Sequence, residues 1–291
     1  MFRNTIGALA IAFAAAVAPV AVSVAQAADT IRFAVTDVAG MEELQREFGA
    51  FKGALEKVTG LKLAYFPVNS RTAAVEAMKA KQVDFVLTGP AEYVVFQSRT
   101  DAKVVVGWQR PDYFAQVVAM ADGPIKTAQD LKGKTVAFGE VGSTSQHLGP
   151  AQALADLGLM YGKDYKPQII SRNVAVEAMI RGDVQAVGMN FTHLARIRKA
   201  FPDQAFAVIA RGRDLPNDVL IASPDVPRET FDKIRNAFVE HSDELIAAVL
   251  KGKDNEKYEG GHFLASIKDA DYNYVRSMYN TIGVSAFDKF V

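Results

Sequence analysis

The chain repeats part of itself. Arg71-Thr72-Ala73-Ala74-Val75-Glu76-Ala77-Met78 returns without a gap as Arg172-Asn173-Val174-Ala175-Val176-Glu177-Ala178-Met179, an offset of 101 positions. The echo continues more weakly, with Gln82-Val83-Asp84-Phe85-Val86 answering to Asp183-Val184-Gln185-Ala186-Val187. Each copy reads as an amphipathic helix, a polar turn and a short buried strand. Two such units in one chain predict two related α/β lobes.

The flanking sequence fits that scheme. In the first half, strands are expected at Thr30–Thr36, Leu61–Val68, Val83–Leu87 and Lys103–Gln109, with a helix over Glu42–Thr59 ended by Gly60. Gly89-Pro90 opens another helix, with proline in the first turn where a missing N–H costs nothing. In the second half, strands are expected at Tyr113–Ala121, Thr135–Phe138, Gln168–Ser171, Val184–Met189, Phe206–Ala210 and Val219–Ser223. A helix is expected over Thr144–Leu157, and from Arg228 onward the tail reads as mostly helical. Strands alternating with helices predict mostly parallel sheets covered on both faces, with ligands at the carboxyl ends of the strands. The expected boundaries are residues 28–115 with 214–291 for lobe one and 116–213 for lobe two, joined by two crossover strands.

The first 27 residues read as a cleaved secretory signal peptide. Arg3 supplies the positive end, Ile6–Val24 the apolar stretch, and Ala25-Gln26-Ala27 the small-x-small cleavage site. The chain has no cysteine. That excludes disulfides, thiol nucleophiles, cysteine-ligated zinc and the acylated cysteine of a lipoprotein. The compartment expected from this is a periplasm. Lysine plus arginine number 33 and aspartate plus glutamate 33, a balance that gives no support for nucleic-acid binding.

The run Gly142-Ser143-Thr144-Ser145-Gln146 is the strongest candidate site. It follows an apolar strand and opens a helix. A helix start leaves backbone N–H groups unpaired, with the positive end of the dipole behind them. Added hydroxyls make such an end a seat for a tetrahedral oxyanion. A plain N-cap needs only one of these side chains, and Gly142 lets a ligand approach the backbone.

Enzymatic chemistry finds little footing. His147, His193, His241 and His262 are scattered without metal-ligand spacing. Ser145 and His147 are two apart, which on a helix turns them away from each other. Gly139-Glu140-Val141-Gly142-Ser143-Thr144 lacks the lysine of a nucleotide-binding loop. Neither an enzyme nor a resident cofactor is expected. Arg71 and Arg172 open the two repeat helices, where a cation opposes the helix dipole and hints at a tertiary partner.

Three segments resemble those of the phosphate/phosphite/phosphonate-binding periplasmic proteins (PhnD-like) that serve ABC importers. They are Val83–Tyr93 with its Gly89-Pro90 and Tyr93, Tyr113 just before Gln116-Val117-Val118-Ala119, and Ile125–Lys134 followed by Ser143-Thr144-Ser145 and Pro150. The resemblance implies a two-lobed, type II-like periplasmic binding protein, a monomer handing its ligand to permease subunits in the inner membrane. It implies that Ser143, Thr144 and Ser145 hold the oxyanion while Tyr93 and Tyr113 close the site; Gln146 and Asn190 are this chain's further candidate ligand contacts. Some family members instead pass an oxyanion signal to a membrane histidine kinase. The chain departs from the family at Gln146, where glycine is common, and at Gln185, where aspartate is common. The loop Met189-Asn190-Phe191-Thr192 carries no carboxylate. That favours phosphate, phosphite or a simple phosphonate over an aminophosphonate, whose buried ammonium needs a counter-charge.

Overall fold

The computed structural model describes residues 30–38 and 40–287 of the chain, so the expected signal peptide lies outside the described residues. The first half runs β1 (Thr30–Val35), α1 (Met41–Thr59), β2 (Lys62–Tyr65), α2 (Arg71–Lys79), β3 (Phe85–Thr88), α3 (Pro90–Thr100) and β4 (Lys103–Trp108). After a crossing come β5 (Phe114–Met120), β6 (Thr135–Phe138), α4 (Gly149–Asp156), β7 (Lys166–Ile169), α5 (Arg172–Arg181), β8 (Ala186–Asn190), α6 (Phe191–Ala200) and β9 (Phe206–Asp214). The chain then returns through β10 (Asp218–Ala222) to α7 (Arg228–Glu240), α8 (Ser242–Val249), β11 (Phe263–Leu264) and α9 (Asn273–Thr281).

Two sheets result, ordered β11-β4-β10-β3-β1-β2 and β7-β6-β8-β5-β9. Five strands of the first sheet correspond to the five of the second about the internal repeat, and β11 is an addition at the edge of the first. Repeat helix α2 leads into β3 and repeat helix α5 into β8, and each of these strands lies inside its sheet. Strand β10 enters the first sheet beside β3, and β5 enters the second beside β8, each coming directly from a crossing. Pairing is parallel among β1, β2 and β3 and among β6, β7 and β8. It is antiparallel wherever β4, β5, β9, β10 or β11 takes part. The sheets are therefore mixed. The expected parallel character holds where helices join neighbouring strands and ends where the crossings deliver strands in the opposite sense.

Local chemistry explains the element ends. Gly60 and Gly182 close α1 and α5 with left-handed φ values of 70° and 84°. Ser70 caps α2 by accepting from Ala73 N at 3.1 Å, and Pro90 opens α3. Strand β9 continues past the expected Ala210 to Asp214, because β5 pairs with it over that length. The tail is mostly helical, as expected, with the short β11 added to the edge of the first sheet. No helix among the described residues is long and apolar enough to cross a membrane.

The cores follow the layers. Phe33, Phe48, Phe51, Trp108 and Phe238 fill one face of the first sheet, and separate clusters line the two faces of the second. The other face of the first sheet forms a core shared with the crossings, where Tyr93, Tyr272 and Tyr279 meet Tyr113, Leu148 and Leu215. At the crossings the two segments run side by side. Leu215 N donates to Tyr113 O at 2.8 Å, and Arg110 N donates to Asn217 Oδ1 at 3.0 Å.

A polar cleft between the two sheets

A cavity of about 340 Å3 lies where the carboxyl ends of the parallel strands of both sheets converge. The second sheet contributes Ser143, Thr144, Ser145 and Gln146, together with Asn190 at the end of β8. The segment between β6 and α4 that carries the hydroxyls does not begin as an ordinary α-helix. Thr144–Leu148 forms a π turn, with Leu148 N donating to Ser143 O at 2.9 Å. Pro150 has no N–H to give the carbonyl of Gln146, which instead accepts from Gly139 N at 2.9 Å. The wide turn leaves the N–H groups of Thr144, Ser145 and Gln146 without intrahelical partners. Gly149 then lets the helix lie against β5, since a Cβ there would stand 2.6 Å from that of Ala115.

His147 fixes the turn before it. Gly142, at φ 79°, donates its N–H to His147 Nδ1 at 3.1 Å, and His147 Nε2 lies 2.9 Å from the Tyr161 hydroxyl. An accepting Nδ1 places the proton of the neutral ring on Nε2. Burial pushes the pKa of His147 down to about 4. It is a buttress of the hydroxyl run and not a partner of Ser145.

Thr144, Ser145 and Gln146 each have a defined side-chain neighbour. Thr144 Oγ1 accepts from Ala91 N in the first turn of α3 at 3.0 Å, a direct tie between the two halves. Its own hydrogen remains available for a ligand. Ser145 Oγ accepts from Asn190 Nδ2 at 3.2 Å and shares a hydrogen bond with the Tyr113 hydroxyl. Burial, opposed by Arg110, raises the pKa of Tyr113, so its hydroxyl keeps its proton. Gln146 Oε1 accepts from Arg172 Nε at 3.2 Å.

Arg172 thus reaches the cleft, as do Arg110, Arg196 and Lys257. The side chain of Arg71 lies outside the described residues. Arg110 stands in the first crossing with its guanidinium 3.7 Å over the ring of Tyr113. Its Nη1 lies 3.3 Å from Asp218 Oδ1, and Tyr258 donates to Asp218 Oδ2 at 2.8 Å. Burial opposes the charge of Arg110, and Asp218 together with Tyr113, Tyr258 and Asp37 more than offsets it, so the group stays protonated.

Two sequence expectations change here. Tyr93 is not a cleft residue: it is 1% exposed, donates to Asp269 Oδ1 at 2.7 Å and packs on Tyr272. Glu92, one residue and about 100° earlier on the helix, lines the cleft in its place. The expectation against an aminophosphonate, drawn from the carboxylate-free loop at 189–192, loses its ground as well. Asp37, Glu92, Glu140 and Asp254 all line the cleft, arriving from other elements. Gln185 has no part in it. Its side chain accepts from Thr135 N at 3.0 Å and donates to Gly182 O at 3.1 Å, pinning α5 to β6.

Sequence reasoning also passed over His193, which lines the cleft from the first turn of α6. The repeat offset would have found it. His193 is 101 positions after Glu92, and each is the third residue of the helix that follows the repeat strand.

Two α/β sheets joined by paired crossings, with a polar cleft between them, have the architecture of a two-lobed binding protein. The family described as the periplasmic substrate-binding protein of phosphonate ABC transporters matches residues 33–262, and the chain belongs to that family. Among curated proteins, the phosphate-import protein PhnD of Mycolicibacterium smegmatis is 30% identical over 139 residues, 45% of this chain and 43% of the relative. A putative aliphatic sulfonates-binding protein of Escherichia coli is 34% identical over 113 residues, 38% of this chain and 34% of the relative. The matched segment spans less than half the length of each of these relatives. Among solved structures, the binding protein component of an ABC phosphonate transporter from Pseudomonas aeruginosa superposes with a TM-score of 0.66 at 19% identity. The match covers 86% of this chain and 85% of that one, a likeness of fold.

Proposed function

We propose that this protein captures a phosphorus oxyanion (phosphate, phosphite or a phosphonate) between its two lobes and presents it to an ABC permease in the inner membrane. Lobe one comprises residues 28–115 and 214–291 and lobe two residues 116–213, and the paired crossings are the hinge about which they close. The protein acts as a monomer in the periplasm after removal of residues 1–27.

The observation that carries this reading is the hydroxyl run itself. Ser143, Thr144 and Ser145 line one cleft with Arg110 and Arg172, and the unpaired N–H groups of a helix start lie behind them. Hydrogen bonds from charged donors are the strong kind, and a cleft closed around them raises their worth. Carboxylates on the facing elements support a ligand bearing a cationic substituent as well as a simple one, so an aminophosphonate belongs in the panel of candidates.

A thermal-shift panel tests the reading. Phosphate, phosphite, methylphosphonate, 2-aminoethylphosphonate, sulfate and ethanesulfonate are added to protein dialysed free of anions. A ligand at about 100 times its Kd adds roughly 2.7 kcal/mol, several degrees in a chain of this size. A shift with phosphorus oxyanions that sulfate and ethanesulfonate do not match is the expected result. A shift with the sulfonate alone would overturn it.

A further inference from the structure

We infer that His193 is a specificity-determining ligand contact, and that the ligand it selects is an oxyanion whose substituent carries an uncharged hydrogen-bonding group such as a hydroxyl. This rests on the reading of the cleft as an oxyanion site and adds which substituent that site prefers.

The first observation is an unanswered side chain. His193 is 5% exposed and lines the cleft, yet neither ring nitrogen has a hydrogen-bond partner among the described residues. Buried polar groups are ordinarily paired, and one left unpaired costs its desolvation. His193 also forms the wall between the cleft and an adjoining groove on α5 and α6, which Val176, Ile197 and Phe201 line. A group in this position with both nitrogens unused is placed to meet something that enters the cleft.

Its position relative to the hydroxyl seat is defined. Asn190 spans the two: its Nδ2 donates to Ser145 Oγ at 3.2 Å, and its Oδ1 accepts from His193 N at 2.8 Å. An oxyanion seated on Ser143–Ser145 is therefore one side chain away from the first turn of α6. The internal repeat sets Glu92 of α3 at the equivalent position in the other lobe, so the two lobes present corresponding residues to the ligand. The cavity measures about 340 Å3, and His193 lines it together with the hydroxyl run.

The chemistry of the ring selects the substituent. Burial, with Arg172 and Arg196 nearby, pushes the His193 pKa down to about 4, so the ring is neutral near pH 7. A neutral imidazole offers one N–H and one lone pair. A hydroxyl answers either of them, and a methyl group answers neither. A site built to hydrogen-bond a hydroxyl rejects the analogue lacking it far more strongly than an apolar pocket separates ligands by size.

The test compares hydroxymethylphosphonate with ethylphosphonate, which match in charge and nearly in size, by calorimetric titration of the full mature chain. Wild type is expected to bind the hydroxylated ligand at least tenfold more tightly. His193→Leu is expected to bring the ratio of the two Kd values close to one, and His193→Gln, which keeps a donor and an acceptor, to retain part of it. A wild-type ratio near one overturns the inference, as does a ratio that persists in His193→Leu. A preference for 2-aminoethylphosphonate over both ligands, unchanged in His193→Leu, would move the selection to the carboxylates and overturn it too. If His193→Leu does not fold, the reduced ratio in His193→Gln decides the matter. Failure of the oxyanion reading is separate, because then neither phosphonate binds the wild-type protein at all.

Discussion

Arg172 Nε donates to Gln146 Oε1 at 3.2 Å, so the first residue of α5 is tied to the last residue of the hydroxyl run. Through that bond the glutamine holds an arginine against the cleft. Removing the charge should cost more than removing the tie. A hydrogen bond to a charged group contributes about 1.5–3 kcal/mol, so Arg172→Ala is expected to weaken phosphonate binding about tenfold or more. Gln146→Ala should cost only a few-fold, and the double variant should match Arg172→Ala alone. Titration of all four proteins checks this. Costs that add to within about 0.5 kcal/mol would show that Gln146 does not act through Arg172.

Asp218 lies under the crossing with only 1% of its surface exposed, accepting from Tyr258 and paired with Arg110. Asp218→Asn leaves the Arg110 charge buried without its counter-ion. Breaking such a pair from one side costs about 3–5 kcal/mol. Urea unfolding of the ligand-free protein is expected to show a loss of that order. A loss below about 1 kcal/mol would mean that the pair is open to water.

Stability should fall with acid in a defined window. Burial pushes His147 down to about 4, and burial with Arg172 and Arg196 does the same to His193. Both folded values lie below the ordinary value of about 6.5. Between those limits the unfolded chain binds more protons than the folded one, so stability is lost as pH falls from about 6.5 towards 4 and is unaffected by these groups above that range. The ceiling is about 1.4 kcal/mol per pH unit for each group. The Tm of the ligand-free protein is expected to drop from pH 7 to pH 5, and His147→Gln to lessen the slope. An equal slope in the variant would remove His147 from the account.

Much of this architecture is written locally. Apolar runs bounded by glycine and proline mark the strands, the repeated helix-turn-strand unit marks the two sheets, and consecutive hydroxyls after Gly142 mark one wall of the cleft. Tyr113 and Asn190 meet that wall at Ser145. What was not legible depends on rotation and on distant convergence. Whether Glu92 or Tyr93 faces the cleft is a matter of one residue on α3, settled by Tyr93 packing on Tyr272 and bonding to Asp269, far along the chain. Arg110, Asp254 and Lys257 reach the cleft from a crossing and from the segment after α8, positions that no local pattern links to Ser143. The antiparallel strands escaped for the same reason, because the crossings and not the helix–strand rhythm set their direction.

The claim that Ser143–Ser145 form the oxyanion seat is tested most directly by titrating methylphosphonate into the wild-type protein and into Ser143→Ala/Ser145→Ala. Both proteins are first matched for Tm without ligand. The double variant removes two hydroxyl donors from the cleft and leaves Thr144, with its tie to Ala91, in place. Affinity at least tenfold weaker in the double variant is the expected result. Equal affinity in the two proteins would contradict the account and reduce the two serines to an ordinary helix start.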